Sequence, residues 1–177
     1  MTEKREDSTM KEYTNRLSVS HSLIFECQPG ELWQLISEPG SLNKSHPFCK
    51  SNDVLKWEKQ DHSDRLVYLN GLDYTRKFLT WNEGLGYTLL IGSAGGPQSY
   101  VVWEINSKER DKSELTITVY PYLLANLPLL IAYIPHIFWV RPRLKKYLNS
   151  VLAGYQFHLE NGEEVPRNHF GKHPWFS

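Results

Sequence analysis

The chain has 177 residues and a mass of 20.7 kDa, the size of one compact domain. Lysine plus arginine (20) balance aspartate plus glutamate (20), so the basic excess that phosphate-backbone binding requires is missing and no nucleic-acid partner is expected. With 40% hydrophobic, 13% aromatic and 23% charged residues and a mean hydropathy of −0.49, the composition excludes a disordered, collagen-like or polytopic membrane chain.

Residues 1–15, MTEKREDSTMKEYTN, carry no apolar export segment and no arginine-rich, acid-poor transit character, and read as a flexible leader. Cys27 and Cys49 cannot form a disulfide framework, and no CxxC spacing occurs, so a reducing cytoplasm is the expected compartment. In residues 16–27, Leu17, Val19, His21, Leu23 and Phe25 alternate with Ser18, Ser20 and Ser22, the two-residue period of a strand wet on one side. Pro29 then suits an early helical position, and Leu32, Leu35 and Ile36 share one face of a short helix ending near Pro39-Gly40. Residues 41–45 add a further turn before His46-Pro47, because a residue ahead of proline is pushed out of the helical region.

Residues 51–120 predict six strands: VLKWEK, RLVYL, DYTRKFLTW, YTLLIG, SYVVWEI and ELTITVY. Asn70-Gly71 is the strongest hairpin signal, since both residues tolerate the positive φ of a tight turn. Asn82-Glu83-Gly84, the Ala94-Gly95-Gly96-Pro97 break and the charged loop 106–113 separate the others.

The last third changes character. Residues 115–140 contain no Asp, Glu, Lys or Arg, a length that raises a transmembrane helix. Pro121, Pro128 and Pro135 argue against it, at about 3 kcal/mol for each proline inside a helix. Residues 123–140 are expected as a pair of short apolar turns leading into a long helix over residues 142–159, where Leu144, Leu148, Val151, Leu152, Tyr155 and Leu159 form one stripe. The tail, residues 162–177, carries Phe170, Trp175 and Phe176 without periodicity. It either docks on the body or a neighbouring subunit or stays free as a recognition peptide; three free aromatics would be a liability, which favours docking. No internal repeat is visible.

The opening strand followed by QPGELWQLISEPGSLNKSHPF, the SYVVWEI and ELTITVY hairpin, and RPRLKKYLNSVLAGYQFHLENGE at the end together resemble the START-like (SRPBCC) superfamily, which includes the polyketide cyclase/dehydrase family and the major birch-pollen allergen. The resemblance covers residues 16–161 and departs from a minimal member in the apolar insert 122–140 and the aromatic tail. It implies an α+β helix-grip fold: a seven-stranded bent antiparallel sheet around a long C-terminal helix, with two short helices after the first strand. Such a sheet and helix leave an elongated apolar cavity between them. Alternation assigns to its wall Leu55, Trp57, Leu66, Tyr68, Tyr74, Phe78, Leu89, Ile91, Val101, Trp103, Leu115 and Ile117, with Tyr147, Val151 and Tyr155 from the helix; a one-residue slip in register would exchange the faces.

No GxGxxG, P-loop, GxSxG or HExxH motif occurs, so no cofactor is implied. His169 and His173 have helical i,i+4 spacing, but Pro174 follows at once and no acidic or cysteine ligand stands near, so no metal is expected and the histidines read as solvated. Should the chain be an enzyme, His46, Tyr74, Arg76 and Glu104 are the groups able to shuttle a proton or hold an enolate oxygen. The competing account turns Arg76 and Glu104 to solvent and leaves Tyr74 and His46 in the core. The insert, followed by Arg141, Arg143, Lys145 and Lys146, fits a lid, a homodimer contact, or a segment dipping into an anionic membrane surface. The leading expectation is a carrier of a small apolar or lipid-like ligand with the insert as its lid. The rivals are a polyketide cyclase/dehydratase-type enzyme and a membrane-surface interaction protein.

Overall fold

A computed structural model describes residues 11–59, 61–109 and 111–177. The expected leader lies mostly in residues 1–10, outside the described residues. Residues 11–14 form a helical turn from which Tyr13 stacks on Tyr100 at 5.9 Å, and Arg16 donates to the Gln98 carbonyl at 2.8 Å.

Strand β1 (Val19–Phe25) is followed by helix α1 (Pro29–Ser37), which opens on Pro29 and buries Leu32, Trp33 and Ile36. Pro39 ends it by holding Glu38 extended. The single turn α2 (Leu42–Ser45) leads to six strands: β2 (Cys49–Glu58), β3 (Asp61–Tyr68), β4 (Asp73–Asn82), β5 (Gly86–Gly92), β6 (Gln98–Ser107) and β7 (Ser113–Tyr120). They form one antiparallel sheet in the order β1-β7-β6-β5-β4-β3-β2, so each strand after the first crossover pairs with its sequence neighbour. The β3–β4 turn is closed by Asn70-Gly71, with Gly71 at φ 88°. This is the α+β helix-grip arrangement, seven strands around a C-terminal helix.

Strand β2 departs from the expected alternation. It starts at Cys49, five residues before the expected Val54, and irregularities between Cys49 and Ser51 and between Val54 and Lys56 shift its register. Leu55, expected inside, is the extra residue between Val54 and Lys56, and in this bulge it is 57% exposed.

The insert also differs from expectation. Instead of two apolar turns, helix α3 (Leu129–Pro135) runs through a π-turn, His136–Val140, directly into the long helix α4 (Arg141–Asn161). Pro135 and Pro142 lack the N–H groups that would reach Ile131 and Phe138, and between them the Arg141 N–H reaches back to the His136 carbonyl. The widened turn has a packing role. Ala132, His136, Val140, Leu144 and Leu148 are all buried at spacings of four, and each such spacing overshoots a regular turn by about 40°. The slower winding of a π-turn absorbs part of this drift and keeps the five on the inward side. Among the described residues, no helix is long and apolar enough to cross a membrane.

Helix α4 lies across the concave sheet face and approaches α2 closely at Gly154, where an added Cβ would sit 2.1 Å from the Ser45 carbonyl oxygen. The tail docks on the body: the Val165 N–H donates to the Lys44 carbonyl at 2.8 Å and the Asn168 N–H to the Pro47 carbonyl at 2.9 Å.

Candidate functional site

Between the sheet and α4 lies a cavity of about 390 Å³. Register builds its floor in rows. Arg76 on β4 pairs with Ile91 on β5, which pairs with Ser99 on β6; Leu89, Val101 and Val119 form the next row. Leu66 and Tyr68 of β3, Tyr74 of β4, Trp103 of β6 and Ile117 of β7 complete that side. Leu144, Tyr147, Leu148 and Val151 of α4 supply the roof, Leu42 and His46 one flank, and residues 121–123, Trp139, Trp175 and Phe176 the remaining end.

Of the fifteen wall residues expected from sequence, ten line this space: Leu66, Tyr68, Tyr74, Leu89, Ile91, Val101, Trp103, Ile117, Tyr147 and Val151. Leu55, Trp57, Phe78, Leu115 and Tyr155 do not: Leu55 is exposed and Leu115 is buried in the core. Trp57 and Phe78 face the concave side but fill its far end with aromatic packing: Trp57 meets Phe78 at 5.5 Å and Trp81 at 5.6 Å, and His62 stacks on Trp81 at 4.1 Å. Tyr155 is sealed behind Trp103, at 5.6 Å edge to face, with its hydroxyl 3.2 Å from Ser41 Oγ. The cavity therefore occupies one end of the concave face only.

Three of the four candidate proton-handling residues reach the cavity. Glu104 does not: it is exposed and sits on the outer face between Gly86 and Thr116. Arg76 is buried, contrary to the solvent-facing alternative, and its guanidinium binds Asp64 through two bonds, Nε to Oδ1 at 2.7 Å and Nη2 to Oδ2. Burial opposes its charge, but the Asp64 carboxylate outweighs that and holds the guanidinium protonated. Asp64 is the residue that sequence reading missed. A signal was present, since Asp64, Leu66 and Tyr68 share one strand phase just as Tyr74, Arg76 and Phe78 do.

His46 is 1% exposed. Its Nδ1 accepts the Phe48 N–H at 3.2 Å, which leaves the proton of the neutral ring on Nε2, 2.9 Å from the Tyr147 hydroxyl. Burial, then the charges of Arg76 and Arg167, lowers its pKa from 6.5 to about 3, so the ring is neutral at physiological pH. Nε2–H therefore donates to the Tyr147 hydroxyl, which shares a further hydrogen bond of 3.1 Å with the Tyr68 hydroxyl, either phenol being able to donate. One hydroxyl proton of this tyrosine pair is left over as a donor at the cavity wall, which both residues line. Burial pushes the pKa of both tyrosines up. A second hydroxyl pair, Tyr74 and Tyr122 at 3.0 Å, joins β4 to the insert, and the Tyr122 N–H donates to Ser99 Oγ at 3.1 Å. Among the described residues, no carboxylate lines the cavity.

The tail closes the end of the site. Phe176 packs on Tyr68 and Tyr147, each at 4.5 Å, and Trp175 meets Trp139 at 5.5 Å. Periodicity did not reveal Trp139, Trp175 and Phe176 as wall residues. The histidines expected in solvent are also corrected in part: His46, His62, His136 and His173 are buried. His173 places Nε2 3.0 Å from the Arg143 carbonyl, while His169 packs on Phe157 at 5.0 Å. Among the described residues, no three His, Cys, Asp or Glu side chains gather as a metal site would require.

No family model matches the chain, and no curated protein matches it in sequence. Solved structures do match in fold. DynU16, a protein of the dynemicin biosynthetic locus, superposes with a TM-score of 0.62 at 14% identity over 83% of this chain and 48% of its own. The di-domain ARO/CYC BexL of the BE-7585A biosynthetic pathway superposes at 0.63 with 10% identity over 81% and 46%. A START superfamily protein from Mycobacterium smegmatis superposes at 0.60 with 11% identity over 81% and 97%. The chain thus spans about half the length of DynU16 and of BexL and nearly all of the mycobacterial protein. What is shared is the START-like fold.

Proposed function

We propose that the chain binds a small, mostly apolar or lipid-like molecule in the cavity between sheet and helix, with the insert 122–140 and the tail as its lid and plug. The observation that carries this reading is the cavity itself: about 390 Å³, within the range of small-molecule sites, walled by aliphatic and aromatic side chains with few polar groups. The Tyr68–Tyr147 pair, fed by His46, has one hydroxyl proton without an acceptor in the chain, which suits a ligand with one oxygen at that end.

Binding is favoured over chemistry because the ionisable groups are committed. Both nitrogens of His46 are occupied, Arg76 is held by Asp64, and Glu104 is outside. The second reading, a cyclase- or dehydratase-type enzyme, draws on the same Tyr68–Tyr147 pair as proton donor and on the fold shared with BexL.

Native mass spectrometry of freshly purified protein tests the proposal. An added organic mass of a few hundred daltons, lost when Val101→Trp fills the cavity, is the expected result. Apoprotein alone, with no uptake of an apolar fluorescent probe by wild type, would sink it. Tyr68→Phe separates the two readings: a carrier keeps its ligand with modestly weakened affinity, whereas an enzyme loses turnover and keeps binding.

A further inference from the structure

The outer side of α3 and the π-turn faces solvent with apolar side chains. Leu130 is 91% and Phe138 78% exposed, and Leu129, Ile131, Tyr133 and Ile134 are each more than half exposed. A single exposed leucine means nothing, but a contiguous apolar ridge on one helix marks a surface that is covered in use. From Leu115 to Leu159 the sequence contains no Asp or Glu, and its only four charges are Arg141, Arg143, Lys145 and Lys146, immediately beyond the ridge. Among the described residues none of the four pairs with a carboxylate. Among the described residues, Arg141 and Lys145 are exposed and have no side-chain partner, while Arg143 donates to the Trp139 carbonyl and Lys146 to that of Lys172.

We infer that this face docks on an anionic lipid bilayer, the ridge entering the interface and the cations meeting the headgroups. Charge selects this occupant over a second copy of the chain. A two-fold contact through the ridge sets each patch against itself and brings together two sets of four cations that have no carboxylate to neutralise them, whereas an acidic headgroup layer does so. Position adds to the argument. Trp139 is 42% exposed and also lines the cavity, so the ridge borders the end of the cavity that the insert and tail close. The inference goes beyond ligand carriage and stands whether or not the cavity holds a ligand.

Sedimentation of the purified full chain with phosphatidylcholine vesicles, with and without phosphatidylserine, tests it. Expected are strong binding to the phosphatidylserine vesicles, weak binding to neutral ones, and weakening with added salt. Each cation near an anionic surface contributes about fivefold in affinity, so Arg141→Glu with Lys145→Glu should lower partition at least about twentyfold. Leu130→Asp with Phe138→Asp should remove it on both vesicle types. All four side chains are exposed, so the circular dichroism spectrum and thermal midpoint should be unchanged. Wild type that ignores both vesicles, or variants that bind as wild type does, overturns the inference. So does a wild-type dimer, indifferent to vesicles, that Leu130→Asp with Phe138→Asp splits into monomers.

Discussion

Asp64 and Arg76 stand in register across β3 and β4 and meet as a two-point ion pair at 0% and 5% exposure. The guanidinium also lies 5.3 Å from the Phe78 ring centre and borders the cavity. The pair divides the concave face: aromatic side chains fill one side of it, and the cavity opens on the other. Removing two charges from water costs about as much as their attraction returns, so the pair sets which arrangement forms more than how stable it is.

Arg76→Met is therefore expected to destabilise strongly, by about 3–5 kcal/mol, because it leaves Asp64 buried and unpaired. Adding Asp64→Leu to Arg76→Met should recover most of the loss. Urea midpoints of the two single variants and the double variant check this; a double variant as unstable as the sum of its parts would show that the pair stabilises outright.

His46 makes stability depend on pH in one direction. Its folded pKa of about 3 lies below the ordinary 6.5, chiefly through burial and then through Arg76 and Arg167. The unfolded chain therefore binds more protons between those values. Its contribution is complete above about pH 6.5 and is lost toward pH 3, at up to about 1.4 kcal/mol per pH unit. Burial lowers the pKa of His62, His136 and His173 as well, adding in the same sense. Denaturant midpoints measured across this window should fall as the solution is acidified, and His46→Gln should flatten the fall. An unchanged acid limb in that variant would remove His46 from the account.

Strand phase carried the site in the sequence wherever strands were regular. Leu89 and Ile91, Val101 and Trp103, and Ile117 alternate without interruption, and all reach the cavity. The reading failed where local order did not set the outcome. Leu55 is itself the extra residue of a bulge between Val54 and Lys56, and nothing in VLKWEK signals one. Trp57 and Phe78 have the inward phase, but which inward residues fill space and which bound a void depends on how side chains from separate strands interlock. Sequence alone predicts broken turns where the helical path runs through Pro135, which follows Pro128 at the helix start, because proline's cost is local, while the gain from keeping Ala132, His136 and Val140 buried is tertiary. The tail has no period at all, and its docking depends on Tyr68 and Tyr147, far away in sequence.

Gly154 is where α4 passes α2 with no room for a side chain. Alanine is the better helix former by about 1 kcal/mol, so on propensity alone Gly154→Ala would stabilise. A Cβ 2.1 Å from the Ser45 carbonyl oxygen and 3.0 Å from Pro47 Cδ forces the helix away, and overpacking of this kind costs about 1–3 kcal/mol. The variant should melt lower than wild type, and because α2 carries the His46 flank its bound apolar probe should show altered fluorescence. A higher thermal midpoint would mean that the crossing relaxes freely.

Phe176 closes the cavity from the C-terminal tail, stacked on Tyr68 and tilted against Tyr147, with 8% of its surface exposed. Truncating a buried phenylalanine in a core costs about 3–5 kcal/mol, but a terminal segment can detach instead of enclosing a void, so the loss from Phe176→Ala is capped by the docking energy of the tail. Detachment also frees Trp175, whose carbonyl accepts from Asn70 Nδ2 at 2.8 Å and whose ring borders Trp139. Phe176→Ala should thus show red-shifted tryptophan emission, faster release of an apolar probe, and a loss of at most about 3 kcal/mol. Phe170→Ala, at a half-exposed ring in the same tail, is expected within about 0.5 kcal/mol of wild type with probe release unchanged. Equal effects from the two substitutions would make the tail a generic stabiliser, with Phe176 having no special hold on the cavity.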